Sequence, residues 1–210
     1  MASSMKPSNL RALVAREAAR LLYYRLATEY KFAKLRAARE LGVTVLPSNR
    51  EVADELDALA NLLEGESRIA RLIQMRREAL SIMEALLEFN PKLIGSVWRG
   101  TVRIGSDIDI IVYSHSSSAV VEKLRCLGYN VINVEKKVKA GRDDEEKKVY
   151  VHIYVELPSG NRAEIVVRSP EDQNVKEVCD IYGDVIEGLT VEELRRVLSE
   201  DPARRFIPQR

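Results

Sequence analysis

The sequence predicts an α+β fold: a helical N-terminal segment followed by a sheet with helices on one face. Three observations predict it. Residues 10–89 keep helical apolar spacing with no β-branched alternation. Beyond Pro91 the texture changes to short β-rich runs, and one helical stretch sits among them before the strands meander. At 210 residues, with 46% hydrophobic and 31% charged side chains, the chain can bury one substantial core or two small ones, which excludes a disulfide-dependent mini-protein and a disordered tail.

The first helix is expected over residues 9–41, stopping at Gly42. The second begins after Ser48, whose hydroxyl caps it while Glu51 completes a capping box. The third covers residues 67–89 and ends at Asn90-Pro91, because proline cannot continue a helix and pushes its predecessor toward extended geometry. Strands are predicted at 92–96, 107–113, 130–138, 148–157 and 162–168, with a helix at 118–127 and turns at 141–145 and 158–161. Short helices and a tail follow Pro170. The expected division is a helical accessory domain over 1–90, a catalytic domain over 91–170, and short helices with a tail over 171–210 that pack on the catalytic domain.

Lys+Arg 33 against Asp+Glu 32 leaves a formal charge of +1, so affinity for a polyanion must come from local clustering. Cys126 and Cys179 have no CxxC partner or nearby histidine and read as small core residues. No apolar run approaches the roughly 20 residues that cross a bilayer. The first ten residues lack the basic and apolar regions of a signal peptide, so a soluble cytoplasmic protein is expected.

The chemistry concentrates between Gly95 and Tyr113. A strand ends in Gly95-Ser96, a Gly-rich loop follows, and a new strand opens with Asp107-Ile108-Asp109. Side chains alternate along a strand, which puts Asp107 and Asp109 on one face about 6–7 Å apart. Two carboxylates facing one way suit Mg²⁺, a cation that takes oxygen ligands from one or two acids and fills the rest of its shell with water and phosphate. Gly95 permits close backbone approach to a triphosphate, and turn N–H groups with the Ser96 hydroxyl can donate to its oxygens. Arg99 and Arg103 would neutralise further phosphate charge. Two-metal nucleotidyl transfer normally needs a third carboxylate. Glu164, flanked by apolar residues on the far arm of the 158–161 hairpin, is the candidate, provided its strand neighbours that of Asp109.

Gly95-Ser96-x-x-Arg99-Gly100-Thr101 followed by Gly105-Ser106-Asp107-Ile108-Asp109-Ile110 resembles the signature of the polymerase-β nucleotidyltransferase superfamily, and its wording is closest to archaeal CCA-adding enzymes. The resemblance covers residues 92–168. It implies a nucleotidyltransferase-type mixed sheet, a nucleoside triphosphate (NTP) gripped by Gly95 and Ser96, two Mg²⁺ ions on Asp107 and Asp109, and Glu164 as third acid. CCA-adding enzymes carry large tRNA-holding domains after the catalytic one, whereas about forty residues follow Glu164 here. The expected reaction is therefore NMP transfer from an NTP to an acceptor hydroxyl, with an RNA 3′ end as first acceptor and a protein hydroxyl, as in AMP-transferring enzymes of toxin–antitoxin type, as its rival. A nucleotide- or nucleic-acid-binding module without turnover is the alternative outside enzymology.

Nine basic residues between Lys6 and Arg39 against Glu17 and Glu29 give the first helix a local excess of +7, a track for an RNA backbone or a solvated face. Its apolar faces offer a surface for pairing with another subunit. Trp98 is expected to pack beneath the loop, His152 to bind no zinc, and the acidic run 143–146 to form a solvated hairpin tip.

Overall fold

The structure, a computed structural model, describes residues 7–140 and 147–209. Lys6, the 141–145 turn and the acidic run 143–146 lie wholly or almost wholly outside the described residues. The described chain divides into two compact units. One holds the residues through Arg68 together with Val178–Asp184, and the other holds Ile69–Glu177 and Val185–Gln209.

The first unit is built from three helices, α1 (Pro7–Tyr23), α2 (Tyr30–Glu40) and α3 (Asn49–Glu64). The single helix expected over 9–41 is thus two. Arg25 takes a left-handed φ of 56°. Its N–H bonds Leu22 O at 3.2 Å and the next N–H, of Leu26, bonds Leu21 O at 2.8 Å. That pair of bonds is a Schellman ending, which closes the orphan carbonyls of α1 without the usual glycine and so leaves no composition signal. Alanines make close packing possible: Ala15, Ala18 and Ala19 of α1 meet Ala33 and Ala37 of α2 and Val52 and Leu56 of α3 in one buried cluster. The Ser48–Glu51 capping box forms as expected at the start of α3.

Much of the positive charge on the first two helices is answered within the unit. Arg11 bonds Glu51 at 2.8 Å, Arg16 reaches Glu55 at 3.4 Å, Arg20 bonds Glu17 at 2.7 Å and Arg36 bonds Glu40 at 2.8 Å.

In the second unit, α4 (Glu66–Ala85, beginning in the first unit) leads through a left-handed Asn90 to β1 (Lys92–Ile94), α5 (Gly95–Arg99), β2 (Ile108–Tyr113) and α6 (Ser117–Cys126). Then come β3 (Asn130–Ala140), β4 (Lys147–Glu156), β5 (Arg162–Arg168) and α7 (Val191–Glu200). The sheet order is β1-β2-β5-β4-β3. Only β2 and β5 run parallel; the other neighbours are antiparallel, which makes the sheet mixed as expected.

One sheet face is apolar. Ile108, Ile110 and Val112 of β2, Ile153 and Val155 of β4, and Ala163, Ile165 and Val167 of β5 share a core with Met75, Ile82 and Met83 of α4, Leu124 of α6 and Leu194 of α7. Because strand side chains alternate, Asp109, Glu164, His152 and Tyr154 project from the opposite face. Two expectations need correction. Gly95-Ser96 opens a helical turn instead of ending a strand. Cys126 is exposed in the last turn of α6, and only Cys179 is partly buried. Among the described residues no helix is long and apolar enough to cross a membrane.

Candidate active site

The site is assembled by register. Antiparallel pairing sets Ile94 against Asp109. Parallel pairing sets Asp109 against Glu164, and the hairpin sets Glu164 against Tyr154. Gly95, directly after Ile94, has a φ of 70°, and a Cβ there would collide with Asp109 Oδ2. The missing side chain thus makes room for the carboxylate itself, placing the backbone of the α5 turn over Asp109.

Asp107 stands two residues before Asp109, and Arg162 Nε donates to its Oδ1 at 3.3 Å. Burial first, and then the charges of Glu164 and Asp107, push the Asp109 carboxyl up to about 7. A carboxyl burdened in this way gains from a divalent cation, and Asp107 with Asp109 provides the oxygen donors that Mg²⁺ prefers.

Glu164 is held differently. His152 Nδ1 lies 2.6 Å from its Oε1, the Tyr154 hydroxyl 2.9 Å and Lys137 Nζ 3.4 Å. Tyr154 also lies 2.7 Å from Glu135 Oε1, so its single proton serves two carboxylates, and Lys137 donates to the phenol oxygen at 2.6 Å. Burial alone would raise Glu164, yet the hydrogen bonds from His152 and Tyr154 and the Lys137 charge hold it below the ordinary carboxylate range. Burial with the two carboxylates pushes the Tyr154 phenol up to about 12. Among the described residues no three His, Cys, Asp or Glu side chains converge closely enough to hold a metal ion. Asp107 and Asp109 are carboxylate donors of the kind a hard divalent cation takes, and Glu164 is bonded toward β4.

The remaining expected residues divide. Ser96 lies on α5 and accepts Thr101 N–H at its carbonyl. Trp98 is buried in the core beneath the turn. Arg103 closes a tight turn with Ser106, its N–H bonding Ser106 Oγ at 3.0 Å. Arg99 is brought elsewhere: it is buried, its Nη1 bonds Phe206 O at 3.0 Å, and it stacks on Trp98 at 4.1 Å. Lys137, His152, Tyr154 and Arg162 are the site residues that sequence reasoning passed over. The alternations His152-x-Tyr154 and Arg162-x-Glu164 across the 158–161 hairpin were the available signal.

Residues 84–184 match the family model for the nucleotidyltransferase domain. This chain carries a nucleotidyltransferase domain. The match spans the β1–α5–β2 junction and all five strands, so the segment that builds the carboxylate site is the segment that identifies the domain. The enzyme is a transferase, and its general reaction is NMP transfer from an NTP, as the resemblance to the polymerase-β superfamily implies. A search of curated proteins finds no match to the chain.

Proposed function

We propose that this nucleotidyltransferase is a cytoplasmic, Mg²⁺-dependent enzyme whose sheet unit is catalytic and whose helical unit is accessory. The observation that carries the reading is the alignment of Asp109 with Glu164 across β2 and β5, beneath the Gly95 turn. The triphosphate lies on the backbone of Gly95-Ser96, with the Ser96 hydroxyl as donor and Arg103 as the added positive charge. Arg99 is left out of this set because its guanidinium is committed to Phe206.

Asp107 and Asp109 would hold the divalent ions, and when bound a pair of such ions lowers the pKa of the acceptor hydroxyl and stabilises the leaving oxygen. Glu164 is kept ionised, which suits a ligand and an orienting group more than a proton acceptor. The acceptor hydroxyl gives up its proton to solvent, its oxygen forms a bond to the α-phosphorus, the bond from that phosphorus to the α–β bridging oxygen breaks, and pyrophosphate leaves.

The acceptor we assign first is an RNA 3′ end, on the strength of the signature's resemblance to archaeal CCA-adding enzymes. A specific observation favours a protein hydroxyl as the second reading: Arg11, Arg16, Arg20 and Arg36 sit in ion pairs with glutamates, which diminishes the basic track. Incubation with Mg²⁺ and each α-labelled NTP, with and without total RNA, decides the matter. Label on RNA supports the first reading and label on protein the second, while absence of pyrophosphate release with every acceptor overturns both. The double variant Asp107→Ala/Asp109→Ala is expected to abolish transfer.

A further inference from the structure

Arg76, midway along α4, is fully buried, yet its hydrogen bonds run to main-chain carbonyls. Nε donates to Val97 O at 3.1 Å, Nη1 to Pro202 O at 2.8 Å, and Nη2 to Trp98 O at 2.9 Å and Arg204 O at 2.7 Å. Burial lowers the guanidinium to about 10, with Asp201 pulling it back up, so it stays charged at neutral pH. Burying a cation is costly and calls for a dense set of acceptors. Here they come from two places. Val97 and Trp98 are in α5, whose last carbonyls have no partners within so short a helix. Pro202 and Arg204 are in the tail after α7.

Other contacts repeat the bridge. Phe206 N–H bonds Arg99 O at 3.1 Å while Arg99 Nη1 bonds Phe206 O at 3.0 Å. The Phe206 ring lies 5.9 Å from the Arg76 guanidinium. Gly100 has a φ of 76°, and a Cβ there would come within 3.2 Å of Arg204 O. The α5 turn is therefore fixed at one end by Gly95 against Asp109 and at the other by Arg76 and the tail.

We propose that Arg76 and the tail residues 202–206 are positioning elements for triphosphate binding: by bridging α4, α5 and the tail they set where the Gly95-Ser96 backbone stands over Asp109. The inference rests on the nucleotide reading of Gly95-Ser96 given above. A planar fork with donors on three nitrogens is required, since a lysine ammonium from the same position reaches fewer of these carbonyls.

The test uses full-length Arg76→Ala, Arg76→Lys and Phe206→Ala. Two quantities are measured: the Kd of whichever labelled NTP the unsubstituted chain binds most tightly with Mg²⁺, by equilibrium dialysis, and the emission of Trp98, the chain's one tryptophan. Arg76→Ala is expected to weaken binding about tenfold or more and to shift Trp98 emission to the red. Guanidinium chloride at sub-denaturing concentration, but not potassium chloride, restores both. Arg76→Lys and Phe206→Ala move both quantities in the same direction by less.

Folded variants that bind nucleotide within about twofold of the unsubstituted chain overturn the proposal, as does an unshifted Trp98 spectrum. If Arg76→Ala does not fold, the other two variants decide by the same criteria. If the unsubstituted chain binds no triphosphate, the nucleotide reading of Gly95-Ser96 fails, and with it the proposed role in binding. A Trp98 shift reversed by guanidinium would then separate that outcome from failure of the bridge itself.

Discussion

Asp109 on β2 and Glu164 on β5 occupy opposed positions of the parallel strand pair, and Gly95 closes over Asp109 from the β1–α5 junction. The two acids are tuned in opposite directions: Asp109 is pushed up to about 7, while Glu164, with His152, Tyr154 and Lys137 around it, is held below its ordinary range. Adjacent carboxylates whose proton affinities are driven apart are assigned different work by their surroundings.

Asp109→Asn is expected to stabilise the metal-free protein at pH 8. The folded-state value near 7 lies above the ordinary aspartate value of 3.8, so the fold disfavours the charged form. Stability from this group is fully present below the unfolded value and is lost as pH rises through about 7. In a chelating buffer the variant should melt roughly 5 °C higher at pH 8 and show little change at pH 4. With Mg²⁺ and NTP it should lose transfer by about 10³-fold or more, the scale of removing a group that stabilises developing charge. Equal melting of variant and parent at pH 8 would refute the account of the site's repulsion.

Gly95→Ala should abolish transfer and destabilise the sheet unit by about 1–3 kcal/mol, because the new Cβ combines a left-handed φ with a collision on Asp109 Oδ2. In the double variant Gly95→Ala/Asp109→Ala the collision with the carboxylate disappears and a tight contact with the Cβ of residue 109, 3.1 Å, remains. Part of the stability returns while activity does not, and the coupling in a double-mutant cycle of thermal melts is the measurement.

Tyr154→Phe removes a hydrogen bond that favours ionised Glu164, so the Glu164 pKa rises. The midpoint of the Glu164 carboxyl titration, followed by NMR in the metal-free protein, should move to higher pH, while transfer falls less than for Glu164→Gln. An unmoved midpoint would show that the Tyr154 hydroxyl does not hold Glu164 ionised.

Ser48→Ala removes the side-chain half of the α3 capping box and should cost about 1 kcal/mol of stability in the helical unit, leaving transfer on a short acceptor unchanged. Glu51 contributes differently with pH. Its bond with Arg11 holds its carboxyl down to about 2, so its contribution is present above the ordinary glutamate range and is lost as pH falls toward 2. Melts of Glu51→Gln should approach those of the parent at low pH.

Much of the fold was legible because its signals are local. The Ser48–Glu51 box and the strand at 162–168 each follow from neighbouring residues, and the structure places them within a residue or two, whereas α4 ends at Ala85 and a 3-10 turn over Leu87–Phe89 carries the chain to Asn90. The break after Tyr23 was not legible, because the Schellman ending puts arginine where glycine is the usual marker. For Arg99, proximity in sequence to Ser96 places it on the same helical turn, but what its guanidinium bonds, Phe206 O in the tail, lies over a hundred residues away in the chain.

The sequence by itself determined that a Gly-Ser pair precedes an Asp-x-Asp segment and that Asp109 lies on the face opposite Ile108 and Ile110, since both follow from spacing along one chain segment. Only the tertiary structure decided that Glu164 stands opposite Asp109, that His152, Tyr154 and Lys137 hold its charge, and that Arg76 joins α5 to the tail. Strand order and register are fixed by which apolar faces meet in the core, a pairing between segments far apart in the chain. Alternation along a strand says which face a carboxylate is on, but only the neighbouring strand says what it faces.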